Sequence, residues 1–496
     1  MDRLKIQHQY YFAYLQHLWA MNHNIQALER LAKLCNVVDM VSHCASGGNT
    51  IHNNSDNMRV SCWLRLGDWK VETNDRTQDV LMAYKRSTAS SNCGYPAWHA
   101  WALINFRLAQ QIHDTTSLNK TTASSSSSSV IRNHVVAAVQ GFVKAISIGT
   151  KRLSASVEQD MLNFLTCLFK YGDLPEVAAT INAEICAITL ESWLGVLPQL
   201  LARIHIRSPS VRSVLHPLLI RLGAKHPQAL MYPLSVLLKS PVMERKVAAE
   251  SLMNSLKNHS NALVEESLMV SSELIRVAIL WLELWHEGLE DASRLYFGEG
   301  NVSGMLEVLL PLHKQLKQGP STKREVDFHK SFGRDLAEAH AYVKKYIACM
   351  EGHTIPTRGG FMPETSVNAK AEAALNQAWD LYYVVFRRIN KQLPGLTSLE
   401  LSQCSPALLH AHKLELGIPG SYQVDGSYVK IEQFIPSVQV ITSKQRPREI
   451  VLRGSDGKDY VFLLKGHEVV KMNVSCNSLV WSMHYWHVID VPIIMI

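Results

Sequence analysis

The sequence carries nine cysteines but no Cys-x-x-Cys pair, and it has no His-Glu-x-x-His. The usual signatures of a zinc centre are therefore missing, as is the regular cysteine framework of a disulfide-stapled secreted domain; reduced thiols and no metal site are the expectation. No uninterrupted apolar run reaches the ~20 residues that a membrane-crossing helix needs. Met1 is followed by Asp2, Arg3 and Lys5, then Gln-His-Gln-Tyr-Tyr, with no secretory apolar segment. No basic block interleaved with aromatics occurs, and 50 lysines and arginines against 43 acidic residues is a mild excess. Nucleic acid is thus not an expected partner, and only weak contact with anionic lipid is allowed.

What is present is ordinary for a globular protein: 47% hydrophobic and 19% charged residues in a length of 496, enough for about three domains. The stretch from Glu273 to Gly298 is the most strongly patterned. Leu274, Val277, Ala278, Trp281, Trp285, Leu289, Ala292 and Tyr296 recur at helical steps, with Glu283, Glu287, Glu290 and Arg294 between them, predicting one long amphipathic helix stopped at Gly298. A second aromatic helix is expected at Gln377–Ile389, with Trp379, Tyr383 and Phe386 on one face. Rings at such spacing either pack a core or wall an apolar cleft, and two helices this aromatic are not expected to bury every ring in a small bundle.

The first third reads as helices, with Leu15, Leu18, Trp19, Leu28, Leu31 and Leu34 on apolar stripes over residues 10–35. Cys62–Trp69 and Cys167–Leu174 echo one another 105 residues apart, each read as an apolar helix end closed by Gly-Asp; the separation is close to three repeats of about 34 residues. Pro96–Phe106 is a further helix. The six serines Ser124–Ser129 predict an unstructured loop over about 115–130. After Val130 the pattern shifts. Trp193–Ile204 and His226–Val236 each carry a proline-centred turn in an apolar helix, as HEAT-like pairs do. No catalytic constellation stands out in this part.

Beyond residue 392, Thr397 and Glu400 suggest a capping box, and Ser405-Pro406 an N-cap and first-turn proline for a helix through Leu416. From Gly420 the period becomes two. Strands are expected at 428–435, 438–442, 449–453 and 460–464, with Ser455-Asp-Gly457 as a hairpin turn.

Three sets of residues carry a family resemblance. Glu-Leu-Ile-Arg-Val-Ala-Ile-Leu-Trp from Glu273, Trp-His-Glu-Gly-Leu-Glu, Ala-Ser-Arg-Leu-Tyr-Phe-Gly, and later Gln-Ala-Trp-Asp-Leu-Tyr-Tyr resemble the FRB domain, the FKBP-rapamycin-binding four-helix bundle of the target-of-rapamycin (TOR) kinases. Leu66-Gly-Asp-Trp, Trp98-His-Ala-Trp-Ala and His226-Pro-Gln-Ala-Leu resemble the FAT domain of the same kinases. Val440-Ile-Thr-Ser-Lys-Gln-Arg-Pro-Arg448 and Phe462-Leu-Leu-Lys-Gly-His-Glu468 look like the phosphate loop and ATP lysine of the phosphatidylinositol-3-kinase-related kinases.

The resemblance implies a mainly α chain: FAT helical repeats of TPR and HEAT type over 1–270, the four-helix bundle over 271–391, a partial kinase N-lobe with a small antiparallel sheet over 392–468, and a divergent tail over 469–496. Carried over by position, the rapamycin cleft is Leu289, Ser293, Phe297, Asn376, Trp379, Asp380, Tyr383 and Phe386. The nucleotide half-site is Ile441, Ser443, Gln445, Leu463, Lys465 and Glu468, the Ser443–Arg448 hairpin covering the phosphates and Lys465 supplying a cation. The implied partners are an FKBP-rapamycin complex and, in the full-length family, Raptor-like and WD40-propeller subunits. The implied cofactors there are ATP and magnesium, and the activity is serine/threonine phosphorylation in nutrient and growth signalling, in the cytoplasm, on endomembranes or in the nucleus.

This sequence departs from the family in two places. An insertion rich in Gly and Pro lies at about 351–370, ahead of a fourth helix expected from Ala371. After Glu468 the chain continues Val469-Val-Lys-Met-Asn-Val, and neither Gly-Asp-Arg-His-Pro-Ser-Asn nor Asp-Phe-Gly follows. No catalytic residue for phosphoryl transfer is therefore identified, and neither ATP nor magnesium is expected to bind tightly. The alternative reading is a non-enzymatic helical scaffold, or a truncated isoform, acting by partner binding.

Overall fold

The computed structural model describes residues 2–44, 52–90, 93–118, 125–149, 155–351, 364–423, 425–443, 445–466 and 494–495. These fall into two compact units, 1–222 and 223–496.

The first unit is built of helices α1 (Asp2–Ala20), α2 (Asn24–Cys44), α3 (His52–Glu72), α4 (Thr77–Ser87), α5 (Tyr95–Leu118), α6 (Ser125–Gly149), α7 (Ala155–Tyr171), α8 (Pro175–Glu184), α9 (Leu190–Leu194), α10 (Leu197–Ala202) and α11 (Pro209–Lys225). Their apolar stripes pack helix on helix: Leu15, Leu31, Cys35, Cys62 and Trp69 are buried in one cluster, and Trp19 stacks on Trp69 at 4.3 Å. The Gly67-Asp68 pair does not end a helix, because α3 runs on to Glu72. Gly67 instead lets Tyr84 of α4 approach, since a Cβ there would lie 2.5 Å from the ring, and Asp68 accepts a hydrogen bond from the Tyr84 hydroxyl at 3.0 Å. Gly172-Asp173 does close α7. The loop expected over 115–130 is narrower than its serine content suggested: α5 reaches Leu118 and α6 starts at Ser125, where serines are well placed in a first turn ahead of Val130 and Ile131. Residues 119–124 lie outside the described residues.

The second unit opens with α12 (Pro227–Leu237), started by Pro227, and α13 (Met243–Ala278), kinked at Ser260 (φ −150°, ψ 62°). The single helix expected over Glu273–Gly298 is broken. Ile279 and Leu280 are extended, and a new helix, α14 (Trp281–Ser293), begins with the Glu283 carboxylate accepting the Leu280 N–H at 3.1 Å. A wide π turn, Arg294–Gly298, follows. α15 (Val302–Gln318), α16 (Lys323–Glu351) and α17 (Glu364–Gln392) complete an antiparallel bundle around Trp285, Leu289, Phe332, Tyr382 and Val385. α17 starts seven residues before the expected Ala371, and residues 352–363 of the insertion lie outside the described residues.

After the bundle come β1 (Ser398–Glu400), α18 (Leu401–Cys404), α19 (Pro406–His410), β2 (Ile431–Phe434), β3 (Ser437–Val440), β4 (Arg448–Gly454), β5 (Asp459–Lys465) and β6 (Ile494–Met495). The capping box expected from Thr397 and Glu400 is replaced by β1, which pairs with β3; Thr397 O accepts from Val440 N at 2.9 Å. Ser405 does cap α19, accepting from Leu408 N. That helix stops at His410 rather than Leu416, because Lys413 turns left-handed (φ 54°) and Leu414 and Leu416 bond to Ile431 instead. The sheet is antiparallel in the order β1-β3-β4-β5-β6, with β2 also on β4, and Gly457 (φ 79°) makes the β4–β5 turn.

Candidate functional site

The aromatic face of the bundle is formed where α14 and its π turn meet α17. Trp379 is its floor, 8% exposed, with Tyr296 stacked on it at 5.6 Å and Phe297 tilted over it at 5.1 Å. Phe297 itself is 67% exposed and Tyr383 59%. Phe386 is half-buried and stacks on His286 at 4.7 Å, and the Arg387 guanidinium lies 5.7 Å from the Tyr383 ring centre. Leu289 is buried in the core beneath this face, Ser293 is half-buried at the last position of α14, directly before the π turn, and Asn376 and Asp380 are exposed on α17. Sequence reasoning missed His286. Its steps of three to Leu289 and seven to Ser293 place it on the same stripe, which is the signal that would have found it. The Trp379 indole N–H is buried without an acceptor among the described residues, so it is a donor held ready within an otherwise apolar floor.

The second constellation is on the sheet. Gln439 pairs with Glu449 and Glu449 with Leu463, so Ile441, Leu463 and Lys465 fall on one face, opposite the buried residues Ile450, Leu452 and Leu464. Between β3 and β4 the chain turns tightly: Ser443 N donates to Ile441 O, Arg446 N to Ser443 O, and Arg446 is left-handed at φ 44°. Ser443 and Gln445 are exposed at this turn. Arg448 does not join them. It is wholly buried on the opposite face, its guanidinium donating to the Glu283 carboxylate, to the Arg446 carbonyl and, at 3.4 Å, to the Val277 carbonyl. Glu283, expected in a polar gap of its helix, is therefore buried too, because it is the counter-charge of Arg448. Glu468 lies outside the described residues.

Three family descriptions match the chain: the FAT domain over residues 2–166, serine/threonine-protein kinase ATR-like HEAT repeats over 176–275, and the FKBP12-rapamycin binding domain over 273–391. The last covers the aromatic face. The chain is 40% identical over 478 residues to serine/threonine-protein kinase TOR of Oryza sativa subsp. japonica, covering 93% of this chain and 18% of that protein. It is 39% identical to serine/threonine-protein kinase mTor of Drosophila melanogaster, with the same coverage, and 37% identical to tor1 of Schizosaccharomyces pombe, covering 97% of this chain and 20% of that protein. This chain belongs to the TOR kinase family. It spans about a fifth of the length of these TOR relatives, across their FAT and FRB regions. The fold is also similar to that of CtTel1 in its open conformation, with a TM-score of 0.51 at 11% identity, covering 93% of this chain and 15% of that one. The catalytic-loop and metal-binding motifs of protein kinases do not occur in this TOR sequence.

Proposed function

We propose that this TOR segment presents the aromatic face of its bundle to a macrolide held by an FKBP, the two proteins closing over an apolar ligand. The observation that carries this is the stack of Tyr296, Phe297 and Trp379, closed against the core on one side and leaving Phe297 two-thirds exposed on the other. Leaving so much aromatic surface in water is unfavourable by ~25 cal/mol per Å², and a ligand that covers it recovers that free energy. Phe297, Tyr383 and Phe386 would wall the ligand, Trp379 would floor it, Leu289 would set the depth of the floor from below, and Ser293 would leave it room. Asn376 and Asp380 would face the FKBP at the rim. The test is titration of the 496-residue chain with FKBP in the presence and absence of rapamycin, followed by calorimetry. Saturable binding that requires rapamycin supports the reading, and heat independent of rapamycin, or none, removes it.

In the longer family chain the sheet would form part of a nucleotide site, with Ile441 and Leu463 against the adenine and Lys465, Ser443 and Gln445 at the phosphates. ATP with magnesium would supply the phosphoryl group there, for transfer to protein hydroxyls in growth signalling. The shared face of Ile441, Leu463 and Lys465 fits a nucleotide, whereas among the described residues no cluster of three His, Cys, Asp or Glu side chains is placed to hold a metal. Raptor-like and WD40-propeller partners, contact with anionic lipid, and a cytoplasmic, endomembrane or nuclear setting are the family reading for the whole protein.

A further inference from the structure

Both strand ends of the nucleotide half-site converge on one short stretch of backbone, residues 277–280, where α13 ends and the break before the bundle follows. The first contact is through Arg448, at the start of β4 and one residue past the phosphate turn. Its guanidinium has three anchors: the Glu283 carboxylate, the Val277 carbonyl and the carbonyl of left-handed Arg446 within the turn itself. The second contact is through Gly466, next to Lys465. A Cβ there would lie 2.4 Å from Ile279 Cγ1 and 3.0 Å from the Ala278 carbonyl, so the chain passes this close only because the residue is glycine. The Glu283 oxygen that takes Arg448 also accepts the Leu280 N–H that opens α14. One carboxylate thus holds the first turn of the bundle and the phosphate turn together.

We propose that Glu283, acting through Arg448, is a positioning residue for the nucleotide half-site: it fixes the 441–447 turn relative to Lys465 by tying both to the α13–α14 break. This rests on the nucleotide reading given above. Arg448 does not touch phosphate itself, since its fork is spent inward. Its planar geometry allows simultaneous bonds to a carboxylate and two carbonyls, which a lysine ammonium at the same place satisfies only in part. The neighbouring contacts that set the turn, Ser443 N to Ile441 O and Ile441 N to Pro447 O, are local to it. The Arg448 anchors are the long-range ones, 165 residues in sequence from Glu283 and 171 from Val277.

The experiment uses the 496-residue chain and an acyl-phosphate derivative of ATP. In this probe the lysine amine attacks the acyl carbonyl, an amide forms and ATP leaves, so labelling reports how the phosphates sit against Lys465. In wild type, Lys465 is labelled and free ATP suppresses the labelling. Glu283→Gln and Arg448→Gln are expected to slow the ATP-suppressible labelling by about tenfold, as loss of orientation does. Arg448→Lys is expected to recover part of the rate, and all three are to keep the wild-type circular dichroism and the wild-type hydrogen exchange of α15 and α16. Exchange should rise in 441–448. Labelling unchanged in Glu283→Gln and Arg448→Gln overturns the positioning role while leaving the nucleotide reading intact. Loss of helical signal along with labelling overturns it in favour of a purely structural pair. Wild-type labelling that free ATP does not suppress removes the nucleotide reading, and this proposal with it.

Discussion

His313 Nε2 of α15 and the Tyr382 hydroxyl of α17 share a hydrogen bond of 2.7 Å in the middle of the bundle, with Trp285 edge-on to the imidazole at 5.0 Å and His340 stacked on it at 4.2 Å. Burial, then the nearby His340 and Lys344, pushes His313 down to about 3 from its ordinary value of 6.5, and His340 is pushed down by burial and by Lys344 and Lys317. A base whose folded pKa is depressed contributes stability in full above its unfolded value and loses it as pH falls below. The bundle should therefore hold its full stability above about pH 6.5 and lose about 2 kcal/mol by pH 5 through His313 alone. Urea midpoints measured between pH 7.5 and 5 check this. His313→Gln should flatten the slope, and an equal slope in the variant would refute the assignment.

Ser293→Ile should abolish rapamycin-dependent FKBP binding by the 496-residue chain and leave its helical circular dichroism unchanged. Ser293 is half-buried at the end of α14, four residues before the exposed Phe297, so a larger branched side chain is expected to intrude on the ligand's space rather than on the core. Retained affinity would show that the ligand does not pass Ser293. Deleting residues 352–363 in parallel tests the insertion: binding gained only in the deletion would identify it as the block.

Gly67→Ala should destabilise the first unit by about 1–3 kcal/mol, because the new methyl meets the Tyr84 ring well inside van der Waals contact. Thermal unfolding reads the loss. The same substitution made in a Tyr84→Leu background should cost less. Equal costs in the two backgrounds would mean that the α3–α4 crossing is not what demands glycine.

The 496-residue chain should transfer no phosphate. Magnesium, labelled ATP and a generic protein acceptor should give no turnover above buffer, because the groups that orient the hydroxyl and hold the metal are missing from the sequence and supply much of the ~10⁶-fold or greater acceleration of an enzyme. Turnover lost in Lys465→Ala would overturn this, and turnover indifferent to that change would be a contaminant.

The sequence by itself determined the features whose causes are local. Apolar positions three and four apart marked helix over most of Trp281–Ser293 and Gln377–Ile389, period-two alternation placed β2 to β5, Ser455-Asp-Gly457 made its turn, and Ser405-Pro406 started α19. The exposed ring of Tyr383 was foreseeable from the same spacing, since more rings lay on the two helices than one core could bury, whereas Phe297 was marked only by the family resemblance. Tertiary structure decided the rest through partners far away in sequence. The Glu273–Gly298 stripe is continuous, yet the helix breaks at Ile279 and Leu280, where Glu283 holds both the Leu280 N–H and Arg448, 165 residues later. Arg448 stands at the end of the phosphate-loop motif in sequence, but burial in the sheet turned it inward, to a carboxylate and two carbonyls. Residues 398–400 became a strand because β3 had an unpaired edge for them, and Leu414 and Leu416 left the helical path because Ile431 offered backbone partners. A local pattern states what each segment prefers; which preference is kept depends on the burial and pairing that only the folded chain supplies.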